Sequence, residues 1–344
     1  MTAELESLYT DLKPLALAPL WTTLHDLVPP QPSSRMRPAH WTYEAIRPLL
    51  LRAGKYISAE EAVRRVLVLE NPGAPGTACI TDTLYAGLQL ILPGELAPAH
   101  RHTQSAFRFI LEGQGAFTTV GGERFEMEPG DLILTPNFEW HEHGHAGEEP
   151  VVWLDGLDIP LVRSFSAGFA ENAPERQQQI LAPAGTNAAQ WGSGLRPVGA
   201  DCAVRPVARF AYRFRDWHDA LEAVARSGQP AGYEGYALEF VNPVDGSSVL
   251  PTMSAYCQLL PKGFETPTLR STDARVFSVV QGSGRVRIGG RDFRPVVRDV
   301  FVVPSWIPYS IHASDALILF SYSDRAAQER LGLWRRQIDM AAKG

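Results

Sequence analysis

Two histidines flank an arginine in the stretch APAHRHTQSAFRF, residues 97 to 109. In a strand, residues two apart share a face, so His100 and His102 point one way and Arg101 the other. A second segment, NFEWHEHGH, adds His141, His143 and His145 on one parity. Five of the nine histidines thus fall in two short segments that antiparallel strands would bring together. Neutral imidazole is the commonest transition-metal ligand, so the pattern points to a mononuclear metal centre. Three imidazoles leave a divalent ion close to +2 with open positions. That suits iron(II) meeting an anionic bidentate substrate and dioxygen, and zinc fits the same ligands.

Other polar residues fall where they would face this centre. Arg108 shares the histidines' parity in an apolar run, where a charge is costly unless paired, so it expects a carboxylate or phosphate partner, or an internal acid such as Asp155. Gln89 is a candidate hydrogen-bond donor to substrate, although the glutamine at the matching position of the second half, Gln258, favours a structural role. Tyr85 lines the pocket or fills the core. His143 is a candidate proton shuttle, and Asp155 in WLDGLD a candidate to orient an imidazole from behind.

The elements that must hold these groups are mostly strands. Leu5, Leu8 and Leu12 repeat at helical spacing, and Ser58 with Glu61 forms a capping box, so residues 1–75 read as mainly helical. From about residue 76 short alternating runs separated by Gly, Pro and Asn predict an antiparallel barrel over 76–165. Residues 166–235 read as a connector whose helix, 216–228, closes at Gly228. Strand texture returns over 236–325, and 326–344 reads as a C-terminal helix.

The second barrel repeats the landmarks of the first. GLQLILPG (87–94) is echoed by YCQLLPKG (256–263), aligning Gln89 with Gln258, and Asp131 and Pro136 meet Asp299 and Pro304. In this alignment His100, His102, His141 and Arg108 become Leu269, Ser271, Tyr309 and Phe277. The turns persist while the candidate chemistry is lost, which predicts one functional and one metal-free structural barrel.

PGELAPAHRH and GDLILTPNFEWH resemble the two motifs of the cupin superfamily, through Gly94, His100 and His102, then Gly130, Pro136 and His141. The usual cupin glutamate is absent, Ala106 and Phe107 standing in its place, and Phe138 replaces the glycine expected after the proline. LYAGLQLILPGELAPAHRHTQSAFRFILEG, MEPGDLILTPNFEWHEHG and VVWLDGLDIPLV resemble the gentisate 1,2-dioxygenase family, with its salicylate and 1-hydroxy-2-naphthoate relatives. The resemblance implies an all-β bicupin and a homotetramer, with one Fe(2+) per chain in the N-terminal barrel on His100, His102 and His141. It further implies that the ring of gentisate opens between C1 and C2 to give maleylpyruvate, or that salicylate or 1-hydroxy-2-naphthoate reacts in the same way. Arg108, Gln89, His143 and Asp155 would surround substrate and oxygen, and Arg64 or Arg65 would supply a substrate-side guanidinium.

The chain as a whole narrows the alternatives. A formal charge of -6 without a basic cluster argues against nucleic-acid and acidic-membrane partners. No run of about eighteen apolar residues appears and the opening MTAELESLYTDL lacks the basic and apolar regions of a signal peptide, so the chain reads as soluble and cytoplasmic. Cys79, Cys202 and Cys257 are odd in number and far apart, matching neither a disulfide framework nor a zinc motif. A metal-binding isomerase or small-molecule binder of bicupin type is the rival reading. A DNA-binding regulator lacks any recognition helix.

Overall fold

The alternating runs are strands, paired antiparallel throughout. In a computed structural model, which describes residues 2–192, 194, 197–198 and 207–339, the first barrel comprises Tyr85–Ile91, Leu96–His102, Ala106–Glu112, Ala116–Val120, Glu123–Glu126, Leu132–Thr135, His141–His145 and Val151–Leu157. These form two sheets that face each other. The second barrel repeats the plan from Ser254–Leu260 to Leu317–Ser323. The register confirms the alignment read from sequence: His100 lies opposite His141, and Leu269 opposite Tyr309. The chain is a bicupin.

Strand parity divides each chain segment between two cores. Along Ala106–Glu112, Arg108 and Ile110 point into the barrel, while Phe107 and Phe109 point out and meet the second barrel. There Phe109 stacks on Phe320 with ring centres 4.0 Å apart, and Phe107 meets Tyr322 edge-on at 4.7 Å. Both faces of this strand are therefore buried. Two reciprocal hydrogen bonds tie the barrels: Thr83 Oγ1 donates to Asp324 at 2.7 Å, and Thr252 Oγ1 donates to Asp158 at 2.5 Å.

The repeat extends beyond the barrels. Strand Ala39–Trp41 pairs with Val300–Val303, and the following helix, Tyr43–Tyr56, has its first amide capped by Asp299 at 2.8 Å. Strand Ala211–Tyr212 pairs with Leu132–Thr135, and helix Phe214–Ser227 is capped in the same way by Asp131 at 2.8 Å. A carboxylate at a helix N-terminus satisfies an orphan amide and complements the dipole. Each short strand pairs with the barrel that its unit does not precede, while the helix after it, capped from that barrel, packs on the first strands of the barrel that follows it in the chain.

Two segments gain short strands, and one expectation is corrected. The segment 1–75 is not only helical: Ala39–Trp41 and Val66–Val68 join the second and first barrels as edge strands, because a sheet edge offers unpaired backbone groups to any extended neighbour. The connector likewise supplies Ala170–Asn172 to the strand carrying His100. The C-terminal helix is short, Arg325–Arg330. Gly332 turns left-handed at φ +70°, and Arg336–Asp339 then pairs with Thr268–Ser271.

The chain divides into a unit ending at Ser34 and a unit beginning at Arg35. Helix Ala3–Leu12 of the first unit carries the Leu5, Leu8 and Leu12 repeat but buries none of its residues. No helix among the described residues is long and apolar enough to cross a membrane. Cys202 lies outside the described residues. Cys79 and Cys257 are buried, and burial pushes the Cys257 thiol up to about 12.

Candidate metal centre and substrate cavity

His100 and His102 reach the cavity through a bulge. The strand Leu96–His102 loses register between Ala97 and His100, at Pro98, which has no N–H to pair. At the turn after Pro136, Phe138 takes φ +60° and does what glycine would have done. The Arg101 guanidinium covers it at 4.1 Å from the ring centre, and Trp306 repeats the conformation at φ +61° in the second barrel.

One ligand atom from each of His100, His102 and His141 lies within 4.8 Å of the others. The Nδ1 of His102 is 2.8 Å from the carbonyl of Gln104, and that of His141 is 3.0 Å from the carbonyl of Glu139. A carbonyl accepts only, so Nδ1 carries the proton and Nε2 presents its lone pair. The Nε2 of His141 is buried without a protein partner. Two ring nitrogens held as acceptors beside a third imidazole fit a divalent metal. Burial, then the nearby arginines, keeps the rings uncharged: His100 is lowered to about 2, mainly by burial and then Arg64, His102 to about 4 by burial, and His141 well below its usual range.

The histidines form one wall of a cavity of about 190 Å³, which Arg64, Tyr85, Gln89, Ala106, Arg108 and Asp155 also line. Ala106 stands where a carboxylate ligand was missing from the sequence. Arg108 lies opposite Asp155 in register, its Nε 3.9 Å from Oδ1, and its Nη1 donates to Thr135 Oγ1 at 2.5 Å. Burial lowers the Arg108 guanidinium to about 10, against the pull of Asp155, and raises the Asp155 carboxyl to about 6 against the pull of Arg108. Burial, and then Asp155, also raises the Tyr85 phenol.

The structure separates the two neighbouring arginines. A one-turn helix, Ala59–Ala62, capped by Ser58 as the capping box predicts, ends on Val63 at φ +57°, an uncommon conformation for a β-branched residue. Arg64 then enters the cavity, its Nη2 donating to His100 Nδ1 and lying 3.3 Å from Nε2. Burial, then Arg108, lowers Arg64 to about 9, so it remains cationic at neutral pH. Arg65 is not at the cavity: it pairs with both oxygens of Glu95 at 2.7 and 2.6 Å and donates to the carbonyls of Ile57 and Leu90. The acid that claims it is 30 residues away in sequence.

Asp155 also departs from expectation, because the imidazoles are oriented by main-chain carbonyls and its own Oδ1 accepts from Trp153 Nε1 at 2.8 Å. His143 is fully buried, its ring centre 5.9 Å from that of His141 and 5.5 Å from Trp153, and it does not line the cavity. Sequence reasoning missed Thr135 and Trp153; the only signal was a polar side chain on inward parity ending DLILT. In the second barrel Phe277 stacks on Phe301 and contacts Tyr309, leaving a remnant of about 20 Å³. A larger hollow of about 650 Å³ beside Trp191 and Trp217 holds no histidine.

A family profile described as "Cupin domain" matches residues 87–157. The chain is 46% identical over 335 residues to gentisate 1,2 dioxygenase 1 of Aquipseudomonas alcaligenes, covering 97% of this chain and 96% of that one. The chain belongs to the gentisate 1,2-dioxygenase family. It is therefore a ring-cleaving dioxygenase. A gentisate 1,2-dioxygenase of a Streptomyces species is 38% identical, with 96% and 94% covered. The crystal structure of salicylate 1,2-dioxygenase from Pseudoaminobacter salicylatoxidans, in adducts with gentisate, superposes with a TM-score of 0.93 at 36% identity, covering 99% of this chain and 95% of that chain.

Proposed function

We propose that this enzyme opens the ring of gentisate between C1 and C2, using iron(II) and dioxygen, to give maleylpyruvate. The observation that carries the reading is one small cavity lined by three neutral imidazoles and two guanidiniums, the buried Arg108 and the half-buried Arg64. Two arginines and one aspartate leave a local charge of +1 before any metal is counted, so the site calls for an anion. A divalent ion raises that demand, and a 2-hydroxylated aromatic carboxylate meets it. The volume, below the roughly 300–1,000 Å³ of sites for larger ligands, favours a single ring over the fused pair of 1-hydroxy-2-naphthoate. Two relatives named for gentisate, and the gentisate adducts of the salicylate enzyme, support this choice.

Iron(II) on His100, His102 and His141 would supply the point where the acid and dioxygen meet and where electron density passes from ring to oxygen. Both oxygen atoms remain in the product, so no outside reductant is needed. Arg108 holds the carboxylate in a fork of parallel hydrogen bonds. Arg64 adds a second cation on the His100 side, the Gln89 amide and Tyr85 hydroxyl lie along the opposite strand, and Asp155 offsets part of the positive charge. His143, buried behind His141, leaves both ring nitrogens without a partner. Such a cost is unusual in a folded protein, and it fits a group that exchanges a proton with the loaded site. By resemblance the working unit is a homotetramer, and the reading of the sequence puts it in the cytoplasm.

Loading with ferrous iron under argon, followed by oxygen uptake and mass spectrometry of the product, tests the proposal. Maleylpyruvate formed with one oxygen consumed per gentisate is the expected result. Reaction of salicylate alone would move the substrate but keep the chemistry. Silence with every 2-hydroxylated aromatic acid would overturn the reading.

A further inference from the structure

We propose that Thr135 is a positioning residue: its hydroxyl aims the Arg108 guanidinium at the substrate's carboxylate, with Trp153 and Asp155 completing the support. The inference rests on the reading that this cavity takes an aromatic carboxylate. A guanidinium recognises a carboxylate through two parallel N–H groups, so a small rotation spoils the match. Arg108 is fully buried, and among the described residues its one hydrogen bond is from Nη1 to Thr135 Oγ1 at 2.5 Å. At the other end Nε lacks a hydrogen-bond partner and lies 3.9 Å from Asp155 Oδ1, which Trp153 Nε1 holds at 2.8 Å. The fork is thus tethered at Nη1 and balanced electrostatically at Nε. Thr135 suits the tether because it is fully buried and β-branched, so its hydroxyl has little freedom to move.

The second barrel shows what the hydroxyl is for. In register, Ala106 pairs with Thr135 and Arg275 with Val303, so Val303 is the counterpart of Thr135. By the same pairings Phe277 replaces Arg108, Ser321 replaces Asp155 and Leu319 replaces Trp153. The whole Trp–Asp–Arg–Thr chain disappears along with the three histidines, while the strand pairing, the Gln89–Gln258 match and the Asp131–Asp299 caps remain. At position 303 the β-branched shape survives and only the hydroxyl is gone. The strand needs the shape, and the guanidinium needs the hydroxyl.

Thr135→Val keeps that shape and Thr135→Ser keeps the hydroxyl, so the pair separates the two needs. In the iron-loaded enzyme, Thr135→Val should raise KM for gentisate, and the anaerobic Kd measured by calorimetry, by roughly tenfold to a hundredfold, as for a lost hydrogen bond to a charged group. Iron content should be unchanged, kcat should change far less than KM, and Thr135→Ser should recover most of the affinity. In an Arg108→Ala background, adding Thr135→Val should weaken binding by less than about twofold, because the group it positions is already gone. Independent, multiplicative losses in that double variant would overturn the proposal, as would a fall in kcat with Kd unchanged. Wild-type enzyme that binds gentisate without turning it over would refute the functional reading alone, since the calorimetric contrast still judges Thr135. Wild-type enzyme that binds no aromatic acid would refute both.

Discussion

Replacing Asp158 by asparagine should stabilise the protein at neutral pH. Asp158 is buried between the barrels, where Oδ1 accepts from the Ser105 amide at 2.9 Å and Oδ2 from the Thr252 hydroxyl at 2.5 Å. Burial outweighs these bonds and raises the carboxyl from 3.8 to about 6. At about 1.4 kcal/mol per pKa unit, holding it ionised at pH 7 costs about 3 kcal/mol relative to its neutral form. Asparagine imitates that neutral form: its oxygen still accepts from Ser105, and its amide donates to a Thr252 hydroxyl free to turn. A carboxyl whose pKa folding raises contributes stability that is fully present below the unfolded value of 3.8 and is lost as pH climbs through about 6. The Asp158→Asn variant has no such dependence. Its advantage should be largest at pH 7.5, about 3 kcal/mol or roughly 4 °C in Tm for a chain of this length, and should shrink to nothing by about pH 3. Thermal unfolding of both proteins across that range reads the difference. A lower Tm for Asp158→Asn at pH 7.5 would refute the reasoning and make the ionised Thr252 bond a net stabiliser of the barrel interface.

Other predictions concern the cavity. His102→Ala should abolish iron binding, and half the wild-type metal retained would mean that the second barrel also binds. His143→Ala should keep the iron yet lower kcat by roughly a hundredfold to ten-thousandfold, as for a lost proton-transfer group, with iron content and turnover measured together; loss of metal would make His143 a ligand, and wild-type turnover would make it inert. Glu95→Gln should destabilise the fold by about 3 kcal/mol or more by leaving buried Arg65 without its counter-charge, as denaturant titration would read, whereas an increase in KM without lost stability would return Arg65 to the substrate site.

How much of this was legible depended on range. His100, His102 and His141 could be read because a strand alternates with a period of two and the glycine and proline turns set where each strand begins. The same alternation put Arg108, Gln89 and Asp155 on the inward face, and comparing the two halves showed which barrel had lost its chemistry. Arg64 and Arg65, adjacent in a short irregular segment, offered no such period. Glu95, 30 residues away, and the positive φ of Val63 separate them, and neither can be read from the two arginines themselves. Thr135 and Trp153 were overlooked because a lone polar residue at the end of an apolar run acquires meaning only when a guanidinium from another strand arrives beside it. The sequence alone determined the facing of side chains along the regular strands, since local backbone geometry sets parity. Only the tertiary structure decided what each side chain faces, including the exchange of edge strands and helix caps between barrels, because those partners come from pairing and packing between segments far apart in the chain.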